Sequence, residues 1–132
     1  MKYRFIEVEG ILGYDFPIID FEIIDEGEYK GSNISHLSGL SGELVREIVE
    51  NLEKLKRGEL DYYDFGTEDS IFVDVGGKDC KNEYYRGKTI ISKAFSDYEK
   101  EVPFEEIYTL MKDYLAEIEK WEKRTGMKKP GW

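Results

Sequence analysis

Two hydrophobic periodicities alternate along this chain, and they constrain its fold more than any other feature. Ile19, Phe21 and Ile23 fall on one side of an extended segment at period two, with Asp20 and Glu22 on the other. Ile71, Val73 and Val75 repeat that pattern, opposite Phe72 and Asp74. Between them the period changes. Leu44, Ile48, Leu52 and Leu55 recur at helical steps, widened by Val45 and Val49, which predicts a helix over residues 42–57. Ser41 is placed to cap its start and Gly58 to close its end. Phe104, Ile107, Tyr108, Met111, Leu115, Ile118 and Trp121 trace a second, longer helical stripe. Pro103 suits its first position, Glu105 and Glu106 favour the positive end of its dipole, and Gly126 stops it. This order predicts an α+β fold, with an antiparallel or mixed sheet of five to six strands and two helices packed on one face.

The remaining strands are weaker signals. Residues 3–9 read as extended, with a shift of face that suggests a bulge, and residues 28–36 are expected to add a third strand. Leu60–Phe65 and Ser70–Val75 are joined by Gly66-Thr67-Glu68-Asp69, a link of hairpin length. Thr89–Phe95 places Thr89, Ile91 and Phe95 on one side, and the polar stretch Gly76–Gly87 reads as a long loop or strand extension. The 132 residues show no repeat or linker, so a single domain, 1–132, is expected.

Cys80 is the only cysteine, so no internal disulfide is available. The N-terminal residues lack the apolar run of a signal peptide, and no segment approaches the ~20 apolar residues of a membrane helix. A cytoplasmic protein is expected.

The chain carries 19 Lys+Arg against 29 Asp+Glu, a net charge of −10. Such a surface repels phosphate backbones and anionic membranes and attracts basic partners. The charge is uneven. Between Phe5 and Tyr29 there are eight acids and no Lys or Arg, and between Gly58 and Gly77 six more, again without a base. If the fold brought these segments together, they would form one negative face.

No catalytic or metal signature accompanies the charge. His36 is the only histidine, so neither a zinc site nor a Ser-His-Asp or Cys-His pair is recognisable by spacing. Tyr63 and Phe65 occupy positions that an EF-hand calcium loop would need for oxygen ligands. Leu37-Ser38-Gly39-Leu40-Ser41-Gly42 lacks the Lys of a phosphate-binding loop and reads as a helix-start turn. Glu68 and Asp69 are a carboxylate pair of the kind acid–base chemistry uses, although neighbours in a tight turn ordinarily face solvent. No cofactor is expected, and the chain is read as a binding protein rather than an enzyme.

The more informative feature is tyrosine interleaved with acid. Tyr62 and Tyr63 are adjacent on a strand, so both cannot enter one core, and Tyr84 and Tyr85 repeat the arrangement. Exposed tyrosines supply contact area and a hydroxyl at low entropic cost, while surrounding acids steer a basic partner. The candidate partner-binding residues are Asp61, Tyr62, Asp64, Glu68, Asp69, Asp74, Tyr84 and Tyr85. High strand propensity accounts for tyrosines in a sheet without any partner, and that reading stays open.

Taken as a series, the strand-rich N-terminus, the amphipathic helix, Tyr62-Tyr63-Asp64-Phe65-Gly66-Thr67-Glu68-Asp69-Ser70-Ile71 and the closing helix from Val102-Pro103-Phe104-Glu105-Glu106-Ile107-Tyr108 resemble the small immunity proteins encoded beside bacterial polymorphic toxins, including those of contact-dependent inhibition. The resemblance implies a cytoplasmic protein that binds a cognate toxin domain, often a nuclease, and covers its active site or substrate groove. The alternatives are another acidic inhibitor that mimics nucleic acid, or an enzyme with an unrecognised carboxylate site.

Overall fold

The computed structural model describes residues 1–10 and 13–132. Strands β1 (Lys2–Val8) and β2 (Ile18–Asp25) pair antiparallel, with Phe5 opposite Phe21 and an irregularity between Lys2 and Tyr3. Helix α1 (Gly42–Lys56) follows. Strands β3 (Tyr62–Gly66), β4 (Ile71–Gly76), β5 (Thr89–Lys93) and β6 (Glu99–Val102) then form an antiparallel meander in chain order. Helix α2 (Phe104–Thr125) closes the series.

The fold is therefore α+β, but the single sheet of five to six strands is corrected: the described residues form two antiparallel sheets, of two and four strands. The segment expected as a strand over 28–36 contains two 3-10 turns, Gly27–Tyr29 and Ile34–Leu37. Its amides are satisfied locally rather than across a ladder: Tyr29 N–H bonds the Glu26 carbonyl at 3.1 Å, and Gly31 N–H the Glu26 carboxylate at 2.9 Å. Asn33 adopts the left-handed conformation (φ 66°), which an uninterrupted strand cannot accommodate. Ile34, Leu37 and Leu40 anchor the segment in the core.

The two helices match their sequence signals closely. Ser41 Oγ accepts a hydrogen bond from Leu44 N–H at 3.1 Å, and Val45, Ile48, Val49, Leu52 and Leu55 are buried, while Leu44 is only half-buried. In α2 the buried stripe runs through Ile107, Leu110, Met111, Tyr114, Ile118 and Trp121. Leu115 sits at its half-buried margin. Pro103 is the residue just before the helix rather than its first turn, and Gly126 ends it at φ 72°.

One hydrophobic core joins both helices to the inner faces of the sheets, where Ile71, Val73, Val75, Ile91 and Val102 are fully buried. Asp20, expected to face solvent, is buried instead. Its Oδ1 accepts from Tyr114 O–H at 2.7 Å, from Phe21 N–H at 2.9 Å and from Gly39 N–H at 3.1 Å, which replaces the water it loses.

Candidate functional site

Period-two geometry assigns the opposite face of the four-stranded sheet. Tyr62 and Asp64 on β3, Phe72 and Asp74 on β4, Ile90 and Ser92 on β5, and Glu99 and Glu101 on β6 share it. Asp64 lies directly opposite Asp74, and Ile90 opposite Glu101, so one row across the sheet reads Asp64, Asp74, Ile90, Glu101. Like charges directly opposite one another disfavour pairing, so this row costs stability rather than adding to it.

Tyr84 and Tyr85 reach this face from the segment between β4 and β5, not from a strand. The expectation that they occupy opposite faces of a strand is thereby corrected. Gly76 explains how the segment docks. A Cβ at Gly76 would stand 1.8 Å from the Tyr85 carbonyl oxygen, so only glycine admits the loop there. Gly76 N–H bonds the Lys88 carbonyl (2.9 Å) and Gly87 N–H the Gly77 carbonyl (3.0 Å), closing the loop on itself. Arg86 Nε donates to the Cys80 carbonyl at 2.8 Å across its base.

The result is an aromatic cluster bound to acids. Tyr62 and Tyr85 have ring centroids 5.6 Å apart, and Tyr84 meets Tyr85 edge-on at 5.0 Å. Tyr62 O–H donates to Asp74, and Tyr84 O–H donates to Glu99. Lys88 lies 5.7 Å from the Tyr84 ring centroid, a base beside the acidic rows. Phe72 covers Gly66, where a Cβ would meet its ring at 2.9 Å, and stays 41% exposed.

Each ionisation follows from this crowding. The Tyr84 hydroxyl is pushed up to about 12, first by its hydrogen bond to Glu99 and then by desolvation. The Tyr62 hydroxyl is held far above the ordinary phenol range by partial burial and by its bond to Asp74. Desolvation also raises Tyr85, with Asp74, Glu99 and Asp64 adding to it. Asp74 is raised above the usual carboxylate range by desolvation and by Asp64 and Glu99, against the opposing Tyr62 hydrogen bond. At neutral pH the phenols therefore remain protonated donors within a negative field. That arrangement suits binding of cationic groups.

The other candidates separate from this cluster. Asp61 lies just before β3, exposed, with its carbonyl accepting from Gly77 N–H at 2.7 Å. Glu68 and Asp69 sit at the exposed tip of the β3–β4 turn, at the far end of the hairpin from Tyr62. Asp69 Oδ2 is 3.0 Å from His36 Nδ1, so this acid is engaged by the chain itself. The two base-free segments contribute strands to different sheets. In the first, Glu7 pairs with Arg124, Glu22 pairs with Arg4, and Asp20 is buried.

The acids that join Asp64 and Asp74 are Glu99 and Glu101 of β6, a strand the sequence reading missed. Ser96-Asp97-Tyr98-Glu99-Lys100-Glu101 has Tyr98 as its one large apolar side chain, and only Val102 at its end is buried. The usable signal was its turn-like start and its alternation toward Val102.

Among the described residues no group of three or more His, Cys, Asp or Glu is arranged to hold a metal ion. No helix among the described residues is long and apolar enough to cross a membrane. An open depression of about 490 Å³ borders Tyr29, Thr89, Lys100, Val102 and Phe104, and includes none of the clustered tyrosines or aspartates. No family model, curated protein or solved structure matches this chain.

Proposed function

We propose that this chain is an immunity-type inhibitor that binds a basic toxin domain, of nuclease type, and covers its active site or substrate groove with the outer face of the four-stranded sheet. One observation carries the reading: Tyr62, Asp64, Asp74, Tyr84 and Tyr85 converge on a single face that no described helix covers. Acids set directly opposite each other make little sense as a stability device, and good sense as a surface completed by a partner's cations. The tyrosines supply the area, held in place by hydrogen bonds to the same acids.

The test is capture of partners by the tagged protein from the lysate of its native host, at low and high salt. A basic toxin fragment retained at low salt and weakened at high salt is the expected result. Tyr62→Ala and Tyr84→Ala are each expected to weaken that complex by ~2 kcal/mol. Recovery of a host nucleic-acid enzyme would reassign the protein as a nucleic-acid-mimicking inhibitor. Unchanged affinity across the outer-face substitutions would overturn the site.

A further inference from the structure

The outer face ends at an edge whose backbone is unpaired. Asp61 C=O to Gly77 N–H (2.7 Å) and Thr67 N–H to Ile71 C=O (2.9 Å) bracket the β3–β4 ladder. Antiparallel alternation then turns the amides and carbonyls of Tyr63 and Phe65 toward β4 and those of Tyr62, Asp64 and Gly66 away from it. These outward groups make no backbone hydrogen bond to any other described residue.

Proteins usually blunt such an edge with lysine, proline or a bulge. Here β3 has no lysine, proline or bulge, and its one charge, Asp64, repels an acidic edge but attracts a basic one; no Lys or Arg occurs between Gly58 and Gly77. The opposite edge, β6, differs: it carries Lys100 and is followed by Pro103.

We infer that β3 is a strand-addition site, at which an extended segment of the basic partner pairs antiparallel and lengthens the sheet to five strands. This rests on the reading of the outer face as the partner-binding surface. The occupant's chemistry follows from register. Its residues opposite Tyr62, Asp64 and Gly66 project onto the outer face, so lysine or arginine there meets Asp64 and, behind it, Asp74. Its intervening residues project beside Tyr63 and Phe65 on the helix side, where apolar side chains fit. A second copy of this chain is disfavoured, because antiparallel self-pairing centred on Asp64 sets two aspartates opposite one another.

The probe is a seven-residue peptide alternating basic residues with valine, added to the wild-type protein. A copy N-methylated only at the basic residues keeps the charge but loses the amides aimed at β3. A second copy, methylated only at the valines, keeps those amides. Slowed hydrogen exchange at the Tyr62, Asp64 and Gly66 amides is expected. So is an affinity loss of at least about tenfold for the first methylated copy and not for the second. Equal affinity for all three peptides, with outer-face amides such as Ser92 shifting but the three edge amides unprotected, overturns strand addition and leaves the acidic-face reading standing. No amide shift anywhere at millimolar peptide overturns both.

Discussion

Asp74 shows how this surface sets binding against stability. Its carboxylate lies across from Asp64 and near Glu99, and its proton affinity is raised in the fold. A carboxyl whose folded value exceeds its unfolded value destabilises the fold when ionised, so stability rises as pH falls through the folded value. Replacing it with a neutral isostere removes that cost at neutral pH. Asp74→Asn is expected to stabilise the protein by about 0.5 kcal/mol in low salt, with the gain shrinking as salt is added, while weakening a basic partner. Urea unfolding at two ionic strengths checks this. A loss of stability at low salt would mean that the Tyr62 hydrogen bond outweighs the repulsion.

At the scale of elements, the segment between β4 and β5 is the decisive one, because it carries Tyr84 and Tyr85 to the face where Tyr62 stands. Gly76 makes that docking possible. Gly76→Ala is expected to push the loop off the sheet and cost about 1–3 kcal/mol, read as a lower denaturation midpoint. Outer-face binding is expected to weaken with it, since two of the three clustered tyrosines move. An unchanged midpoint would show that the loop is not held as described.

How much of this was legible differs by element. Ile71, Val73 and Val75 alternate with Phe72 and Asp74, and a strand displays its two faces locally, so that hairpin strand was readable residue by residue. Phe95 was not. It extends the apolar alternation of Thr89 and Ile91, yet β5 ends at Lys93, and Phe95 turns into the left-handed region (φ 57°), fully exposed. The local pattern says nothing about where the partner strand stops, and β6 leaves no room for a longer β5.

For the whole molecule, the last residues knit distant parts together. Gly42 N–H bonds the Lys129 carbonyl at 3.1 Å and Ser41 N–H the Trp132 carbonyl at 2.8 Å, so the tail satisfies amides at the start of α1. The Lys129 side chain is 3% exposed. Its Nζ donates to the Leu40 carbonyl and to the Pro130 carbonyl at 3.2 Å, and lies 5.5 Å from the Tyr114 ring centroid. Burial lowers this ammonium from 10.5 to about 8, against the pull of Asp20 and Glu122. Between those values the unfolded chain holds a proton that the folded chain has released, so stability increases with pH. Lys129 alone is expected to contribute a gain on the order of 2 kcal/mol from about pH 8 to 10. As pH approaches 10, tyrosines with raised values such as Tyr84 oppose this gain, because the unfolded phenols ionise first. Lys129→Met is expected to lose this contribution, and the difference in urea midpoint between the two proteins across this pH range decides it.

The sequence by itself determined the identity of the two helices, their Ser41 and Gly126 boundaries, and the separation of Phe72 and Asp74 from Ile71, Val73 and Val75 onto opposite faces of one strand. Those properties depend on side-chain direction along one element, which repeats every two or 3.6 residues whatever surrounds it. Only the tertiary structure decided that the strands divide into two sheets, that β6 supplies Glu99 and Glu101, that the segment carrying Tyr84 and Tyr85 docks beside Tyr62, and that Asp20 and Lys129 are buried. Each of these depends on which backbone and polar groups find partners across long separations in sequence, and no local period encodes that choice.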